Sequence, residues 1–311
     1  MKFQKILKAG IKYFTNKNYR FLINAGSGKY NSISDKVYLE KKFEAHMNQK
    51  LDFDEPQTFN EKLQWLKLND RKSEYSMMVD KYAVRKYIAD TIGQEYLIPL
   101  LGVWDSVDEI DFDKLPSQFV LKCNHNSGLG MCICKDKSKL NIDKVRRELR
   151  KGLAQNYYLT GREWPYKNVK PRIIAEKYME DCKEELSDYK VHNFNGIPKF
   201  ILVCRDRFKN TGLTEDFYDD SWNHLDVKRP AYSNPGDQPC PSKLDLMLKL
   251  SKMLAKDIPF IRTDFYIIHE KLFFGELTFF PASGFSKFEP EEWDSTFGSW
   301  IDLSNVERFE N

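Results

Sequence analysis

The chain has 311 residues, 49 of them Lys or Arg and 46 Asp or Glu, so its length suits two or three lobes and its net charge of +3 does not point to a nucleic-acid partner. Its six cysteines are scattered, without disulfide-framework or zinc-ligand spacing, and are read as reduced thiols of a cytoplasmic protein. No stretch approaches the roughly 20 apolar residues of a membrane span, and residues 1–10 lack the apolar core of a signal peptide.

The first twenty residues hold six basic side chains, Lys2, Lys5, Lys8, Lys12, Lys17 and Arg20, and no acidic one. Phe3, Ile6, Leu7, Ile11 and Phe14 align on one helical face. That pattern fits a basic helix on the inner face of a membrane, and equally an amphipathic helix docked on the protein's own core. Helical periodicity follows over residues 59–67, with Thr58 or Asn60 as the cap, and over 79–92. Residues 97–103 form an apolar strand or buried loop ending at Trp104. Phe119–Cys123 reads as a strand, 124–130 as a loop carrying Ser127, Gly128 and Gly130, and Met131–Cys134 as the returning strand. No helix opens directly after the glycines, so this is a hairpin lid more than a dinucleotide-binding turn. Such a loop lets backbone N–H groups approach phosphate oxygens, although most turns of this composition are only turns. Lys122, on the strand just before it, is placed to meet the phosphates that the loop covers.

Residues 142–158 read as helix and 173–178 as a strand containing Glu176 and Lys177. Asp188–Phe194 and residues 199–205 form a hairpin turning at Asn195 and Gly196. Residues 206–241, with Pro230, Pro235, Pro239 and Pro241, make a long loop over the site, and 244–256 an amphipathic helix. Along 260–284, Ile261, Thr263, Phe265 and Ile267 alternate with Arg262, Asp264, Tyr266 and Ile268. If His269, Glu270 and Lys271 form the loop, Asp264 falls directly opposite Glu276, with Thr278 further along the same face. Facing carboxylates repel unless a positive charge lies between them. Mg²⁺ shared with substrate phosphates meets that need, and so does Arg262 or a lysine.

Lysine strand, glycine loop, Glu-Lys hinge, basic hairpin and acidic hairpin, in this order, resemble the ATP-grasp superfamily. The closer resemblance is to the TupA-like ATP-grasp proteins of bacterial polysaccharide gene clusters. It is carried by FNEKLQWLK at 59–67, DKYAVRKYI at 80–88, YLIPLLGVW at 96–104, FVLKCNHNSGLG at 119–130, SDYKVHNFNG at 187–196 and FGELTFFPASGF at 274–285. It implies an α+β ATP-grasp fold with the nucleotide between two α+β lobes. The expected organisation is a basic arm over 1–34, a mainly helical region over 35–118, a lobe with the glycine loop over 119–180 and a lobe with the metal hairpin over 181–311. It further implies ATP and Mg²⁺ as cofactors: Lys81 and Lys122 on ATP, Ser127, Gly128 and Gly130 over its phosphates, and Glu176, Lys177 and Met179 at the adenine hinge. Asp264 and Glu276 match the metal-binding acids. The superfamily's third ligand is usually Asn two positions after the Glu, and Thr278 stands there, a weaker ligand or one acting through water. On this pattern Lys190, Arg205 and Arg262 converge on the γ-phosphate and the acyl phosphate, though each also relieves the acidic pair's repulsion.

The chemistry so implied is carboxylate activation by ATP followed by amide formation, with a uronic-acid sugar or polysaccharide precursor and an amine as partners. His125 and His192 flank this site as acid or base, or as packing groups. Two other readings stand beside it. One is a glycosyltransferase using Asp52-Phe53-Asp54 or Asp111-Phe112-Asp113 as an Asp-x-Asp metal site. The other is a non-catalytic, nucleotide-regulated module binding through Trp293, Phe297 and Trp300.

Overall fold

A computed structural model describes residues 2–180, 186–206, 212–236 and 238–306. The N-terminal third is helical: α1 (Lys2–Thr15), α2 (Lys17–Gly26), α3 (Asp35–Met47), α4 (Phe59–Asn69), α5 (Glu74–Val79) and α6 (Val84–Thr91). Thr58 is the cap of α4, its hydroxyl accepting from the Glu61 amide while the Glu61 carboxylate accepts from the Thr58 amide. Asn60 instead donates to Asp294 Oδ1 and the Ser286 carbonyl inside the core. The single helix expected over 79–92 is broken. Asp80 Oδ1 accepts from the Tyr82 amide (2.8 Å), the Ala83 amide (3.2 Å) and Asn124 Nδ2 (2.9 Å), so the chain turns before α6 begins. Lys81 therefore stands in a turn, not on a helix. Among the described residues no helix is long and apolar enough to cross a membrane.

Strands β1 (Leu100–Trp104), β2 (Phe119–Cys123), β3 (Met131–Cys134) and β4 (Ile173–Lys177) form an antiparallel sheet in the order β1-β4-β2-β3. β1, from within the stretch 35–118, thus closes the sheet made by the glycine-loop segment. The helix expected over 142–158 is split into α7 (Ile142–Leu153) and α8 (Tyr158–Gly161); Val145 and Leu149 of α7 bury against Phe119, Leu121, Ile173 and Ala175. This apolar contact fixes the sheet beneath the glycine loop.

The second sheet has the order β7-β6-β5-β8-β9, all antiparallel, from β5 (Asp188–Phe194), β6 (Ile197–Arg205), β7 (Thr214–Asp219), β8 (Phe260–Ile268) and β9 (Lys271–Thr278). Asn195 and Gly196, at φ 48° and 78°, make the expected two-residue turn. β7 lies inside 206–241, read from sequence as loop. Its apolar positions are interrupted by Glu215 and Asp216, which are buried because Arg229 and Arg205 neutralise them. One face of the sheet is covered by α9 (Leu244–Leu254), whose Met247, Leu250 and Leu254 join the main core; Ser251 Oγ donates to Asn193 Oδ1 at 2.8 Å. α10 (Glu292–Ser299) closes one end of this core. Phe297 stacks on Phe200 at 4.5 Å and Trp300 meets Phe194 edge-on at 5.3 Å, so these aromatics pack the protein itself. Burial raises the Cys123 thiol to about 11 and the Cys204 thiol to about 12, which makes both inert.

The acidic hairpin differs from its expected register. Its turn has two residues, His269 and Glu270, both at positive φ (48° and 58°), and Lys271 already pairs with Ile268. A bulge between Thr263 and Phe265 then absorbs one residue, so Thr263 faces Leu277 and Arg262 faces Thr278. Those two pairs are the ones expected, and Asp264, the single residue between Thr263 and Phe265, is opposed by both Gly275 and Glu276 of β9. The extra residue is therefore on β9, where a side chain at Gly275 would come within 3.2 Å of the Asp264 carbonyl.

Candidate active site

Strand pairing sets Lys190 beside Asp264, His192 beside Arg262 and Arg262 beside Thr278, all on the sheet face away from α9. The Arg262 guanidinium lies at the centre. Its Nε donates to Asp264 Oδ1 at 2.6 Å, and its Nη2 to Asp264 Oδ2 (2.7 Å), Glu276 Oε1 (2.9 Å) and Thr278 Oγ1 (3.1 Å). Lys190 Nζ reaches Asp264 Oδ2 at 2.5 Å and Asp188 Oδ2 at 2.6 Å. Burial would raise the Asp264 carboxyl, yet Arg262 and Lys190 outweigh it and hold it below the usual range. Burial likewise opposes the Lys190 ammonium, and Asp264 with Asp188 overcomes it. Glu276 is the open member: its side chain is 38% exposed against 1% for Asp264, and its Oε2 has no hydrogen-bond partner among the described residues. Nη1 of Arg262 is similarly uncommitted among them.

Across from this face, Lys122 Nζ reaches Glu176 Oε2 at 2.6 Å, and Arg85 approaches the same carboxylate at 3.6 Å. Lys81 Nζ donates to the Asn126 carbonyl at 2.6 Å, at the root of the glycine loop. Burial lowers the Lys81 ammonium and Lys122 adds to that, while the charge of Glu276 pulls the other way. Lys81 thus lies within electrostatic reach of both Lys122 and Glu276, which brings the root of the glycine loop near the acidic hairpin. Ser127, Gly128 and Leu129 are exposed there, with Gly128 at φ +80° and open space where a side chain would be. Gly130, at φ +71°, lies so close to Gly152 that an added Cβ would stand 2.9 Å from its Cα. The ionisation of the Tyr157 hydroxyl is suppressed by burial and then by Glu163 and Glu276. At the adenine-hinge positions, the Glu176 carboxylate is taken by Lys122 and Arg85, and the Lys177 amide donates to the Pro99 carbonyl at 2.9 Å. Lys177 is exposed and Met179 half-buried.

The expected convergence of Arg205 with Lys190 and Arg262 does not occur. The register of β5 with β6 puts Lys190 opposite Leu202, so Arg205, three residues on, points to the other face. There it pairs with Asp216. His192 is buried, stacks on Phe200 at 4.1 Å and uses Nδ1 on the Lys190 carbonyl, and His125 uses Nε2 on the Gln155 carbonyl. Both Asp-x-Asp triplets are turn caps: Asp52 Oδ1 accepts from the Asp54 and Glu55 amides, and Asp111 Oδ1 from the Asp113 amide. Sequence reasoning missed Asp188, although the period-2 spacing of Asp188 and Lys190 signalled a shared face. Glu163, Tyr157 and Lys67, brought near by tertiary folding, carry no local signal.

Two lysines and an exposed glycine loop beside the acidic hairpin suit a nucleotide's phosphates. The metal set fits less well. Both oxygens of Asp264 and the Thr278 hydroxyl accept from basic side chains, and Glu276 Oε2 is the one carboxylate oxygen of this set without a donor among the described residues. Among the described residues no group of three or more His, Cys, Asp or Glu is arranged to hold a metal.

A protein-family profile described as TupA-like ATPgrasp matches residues 61–302. Among solved structures, the chain is similar to a D-alanine–D-alanine ligase from Bacillus anthracis complexed with ATP, at 17% identity over 85% of this chain and 82% of that one, with a TM-score of 0.43. A D-alanine–D-alanine ligase from Helicobacter pylori gives 14% identity over 78% and 69%, with a TM-score of 0.41. A D-alanyl-alanine synthetase A from Vibrio cholerae gives 9% identity over 71% and 63%, with a TM-score of 0.42. No curated protein matches the sequence.

Proposed function

The chain belongs to the TupA-like ATP-grasp family, and from that premise we propose that it is an ADP-forming ligase that uses ATP to join a carboxylate to an amine. The carboxylate is that of a uronic-acid sugar, and the amide is made during synthesis of a bacterial surface polysaccharide. The observation that carries the reading is the nearness of Lys81, Lys122 and the glycine loop to Glu276, which Arg262 holds.

In the proposed reaction Lys81, Lys122 and the amides of the 127–130 loop hold the phosphates, and the γ-phosphoryl group passes to a carboxylate oxygen. Charge then grows on oxygens beside Arg262, whose Nη1 is free to donate while Asp264 and Glu276 fix the rest of the guanidinium. Lys190 holds Asp264 in place. Donors fixed in this way need no reorganisation as charge develops. The amine displaces phosphate from the acyl phosphate and completes the amide. Glu276 Oε2 would hold the Mg²⁺ that accompanies ATP, an ion that would neutralise phosphate charge. We also propose that the basic N-terminal helix meets the membrane surface, since Ile11 and Phe14 of α1 are 56% and 77% exposed.

The test supplies Mg-ATP, uronic-acid glycans and a panel of amines, and follows nucleotide products and acceptor mass together. The expected result is equal ADP, phosphate and amide, with carboxylate ¹⁸O carried into phosphate. AMP with pyrophosphate, or amide without label transfer, overturns the reading.

A further inference from the structure

We propose that Arg262 is the resident cation of the Asp264–Glu276 pair. The chain then holds a nucleotide with a single divalent ion, bound on the outer oxygen of Glu276 and not shared between the two carboxylates. The inference rests on the nucleotide reading above.

A bridging ion would have to share oxygens that already accept from basic side chains. Arg262 occupies both Asp264 oxygens, Glu276 Oε1 and the Thr278 hydroxyl, at 2.6 to 3.1 Å, and Lys190 adds a bond to Asp264 Oδ2 at 2.5 Å. Mg²⁺ demands oxygens at about 2.1 Å in near-octahedral array, so it cannot enter between these groups while the guanidinium remains. Displacing Arg262 would leave a second positive charge facing the ion in a buried site, which is costly. Three independent details of the chain build this arrangement. The β9 bulge sets Gly275 and Glu276 together against Asp264, Gly275 leaves room for the Asp264 backbone and Cβ, and Thr278 supplies a neutral hydroxyl that accepts from Arg262. Asp264 is consequently an anchor for Arg262 and Lys190, and a positioning residue in the reaction. Glu276, 38% exposed with one oxygen uncommitted among the described residues, is the group an incoming ion can reach.

The probe is Mn²⁺ titrated into the protein with a non-hydrolysable ATP analogue, counted by electron paramagnetic resonance, with analogue binding measured separately by calorimetry. The wild-type complex should take up about one Mn²⁺ per chain. E276Q should weaken that ion by about tenfold or more, while D264N leaves its affinity within about twofold. R262M should gain a second ion that disappears again in R262M/D264N. Two ions in the wild-type complex, or equal losses in D264N and E276Q, overturn the inference even if R262M fails to fold. Analogue binding with two ions sinks this inference alone. Absence of analogue binding sinks the nucleotide reading with it.

Discussion

At the scale of single residues, burial decides what the charged and titratable groups of this face can do. His192 is 4% exposed, and burial, then the charge of Arg262, pushes its imidazole well below the ordinary range. It is neutral at physiological pH, with its Nδ1–H donated to the Lys190 carbonyl. The folded pKa is depressed while the unfolded one is about 6.5, so as pH falls below that value the unfolded chain takes the proton first and stability is lost. Denaturant unfolding from pH 7 to 5 should show this loss, and His192→Phe should flatten the slope by up to about 2 kcal/mol over the interval. An unchanged slope would mean that His192 is already charged in the folded protein. The two acids of the hairpin should separate just as clearly. Asp264→Asn leaves Arg262 and Lys190 buried with one partner fewer, a loss of about 3 kcal/mol, whereas Glu276→Gln, at a carboxylate only partly buried, should cost under about 1 kcal/mol. Equal costs would show that Asp264 is not the anchor.

At the scale of elements, the glycine loop owes its path to one close approach. Gly130 is left-handed and lies against Gly152 at the end of α7, so Gly130→Ala must move loop and helix apart. It should destabilise by about 1–3 kcal/mol and weaken stabilisation by ATP, while Gly128→Ala, facing open space, carries only the positive-φ strain of about 1 kcal/mol. Thermal unfolding with and without Mg-ATP distinguishes the two, and identical shifts would remove the packing explanation. Elements with clean periodicity and strong turn signals were legible in the sequence: β2, β3, the β5–β6 hairpin with its Asn-Gly turn, α9 and the alternating strands of the acidic hairpin. The remainder depended on tertiary compensation. β7 hides because Glu215 and Asp216 look unburiable until their arginines are seen. The helix read over 79–92 begins only at Val84, because Asp80's bonds to the backbone and to Asn124 hold a turn that no periodicity reveals. The bulge at Gly275 and Glu276 of β9 shifts the register by one residue, which alternation alone cannot reveal, and Arg205 fell on the wrong face once its exact pairing was known.

At the scale of the whole molecule, the loop after β9 is where the helical N-terminal region, the segment following α7 and the second sheet are tied together. Ala282 and Ser283 both hold positive φ, 47° and 57°, a conformation that non-glycine residues adopt only when their surroundings impose it. The imposing group is Lys67 of α4, 0% exposed, whose ammonium donates to Gln64 Oε1 at 2.9 Å and to the Gly161 and Ser283 carbonyls at 2.8 Å each. Burial pushes Lys67 down to about 7, and the nearby charge of Glu163, itself bonded to Ser283 Oγ at 2.8 Å, restores part of its basicity. Lys67→Met should therefore strand three acceptors and a buried carboxylate at once, a loss of about 3–5 kcal/mol in denaturant unfolding. Adding Glu163→Gln removes the stranded charge, so the double variant should be more stable than the two single losses predict, by about 1 kcal/mol or more. The loop lies directly beyond the strand that carries Glu276. Lys67→Met should thus also reduce the thermal stabilisation given by Mg-ATP, although Lys67 touches none of the proposed nucleotide groups. Additive losses, or full stabilisation by Mg-ATP in the folded Lys67→Met protein, would show that the tie and the site are independent.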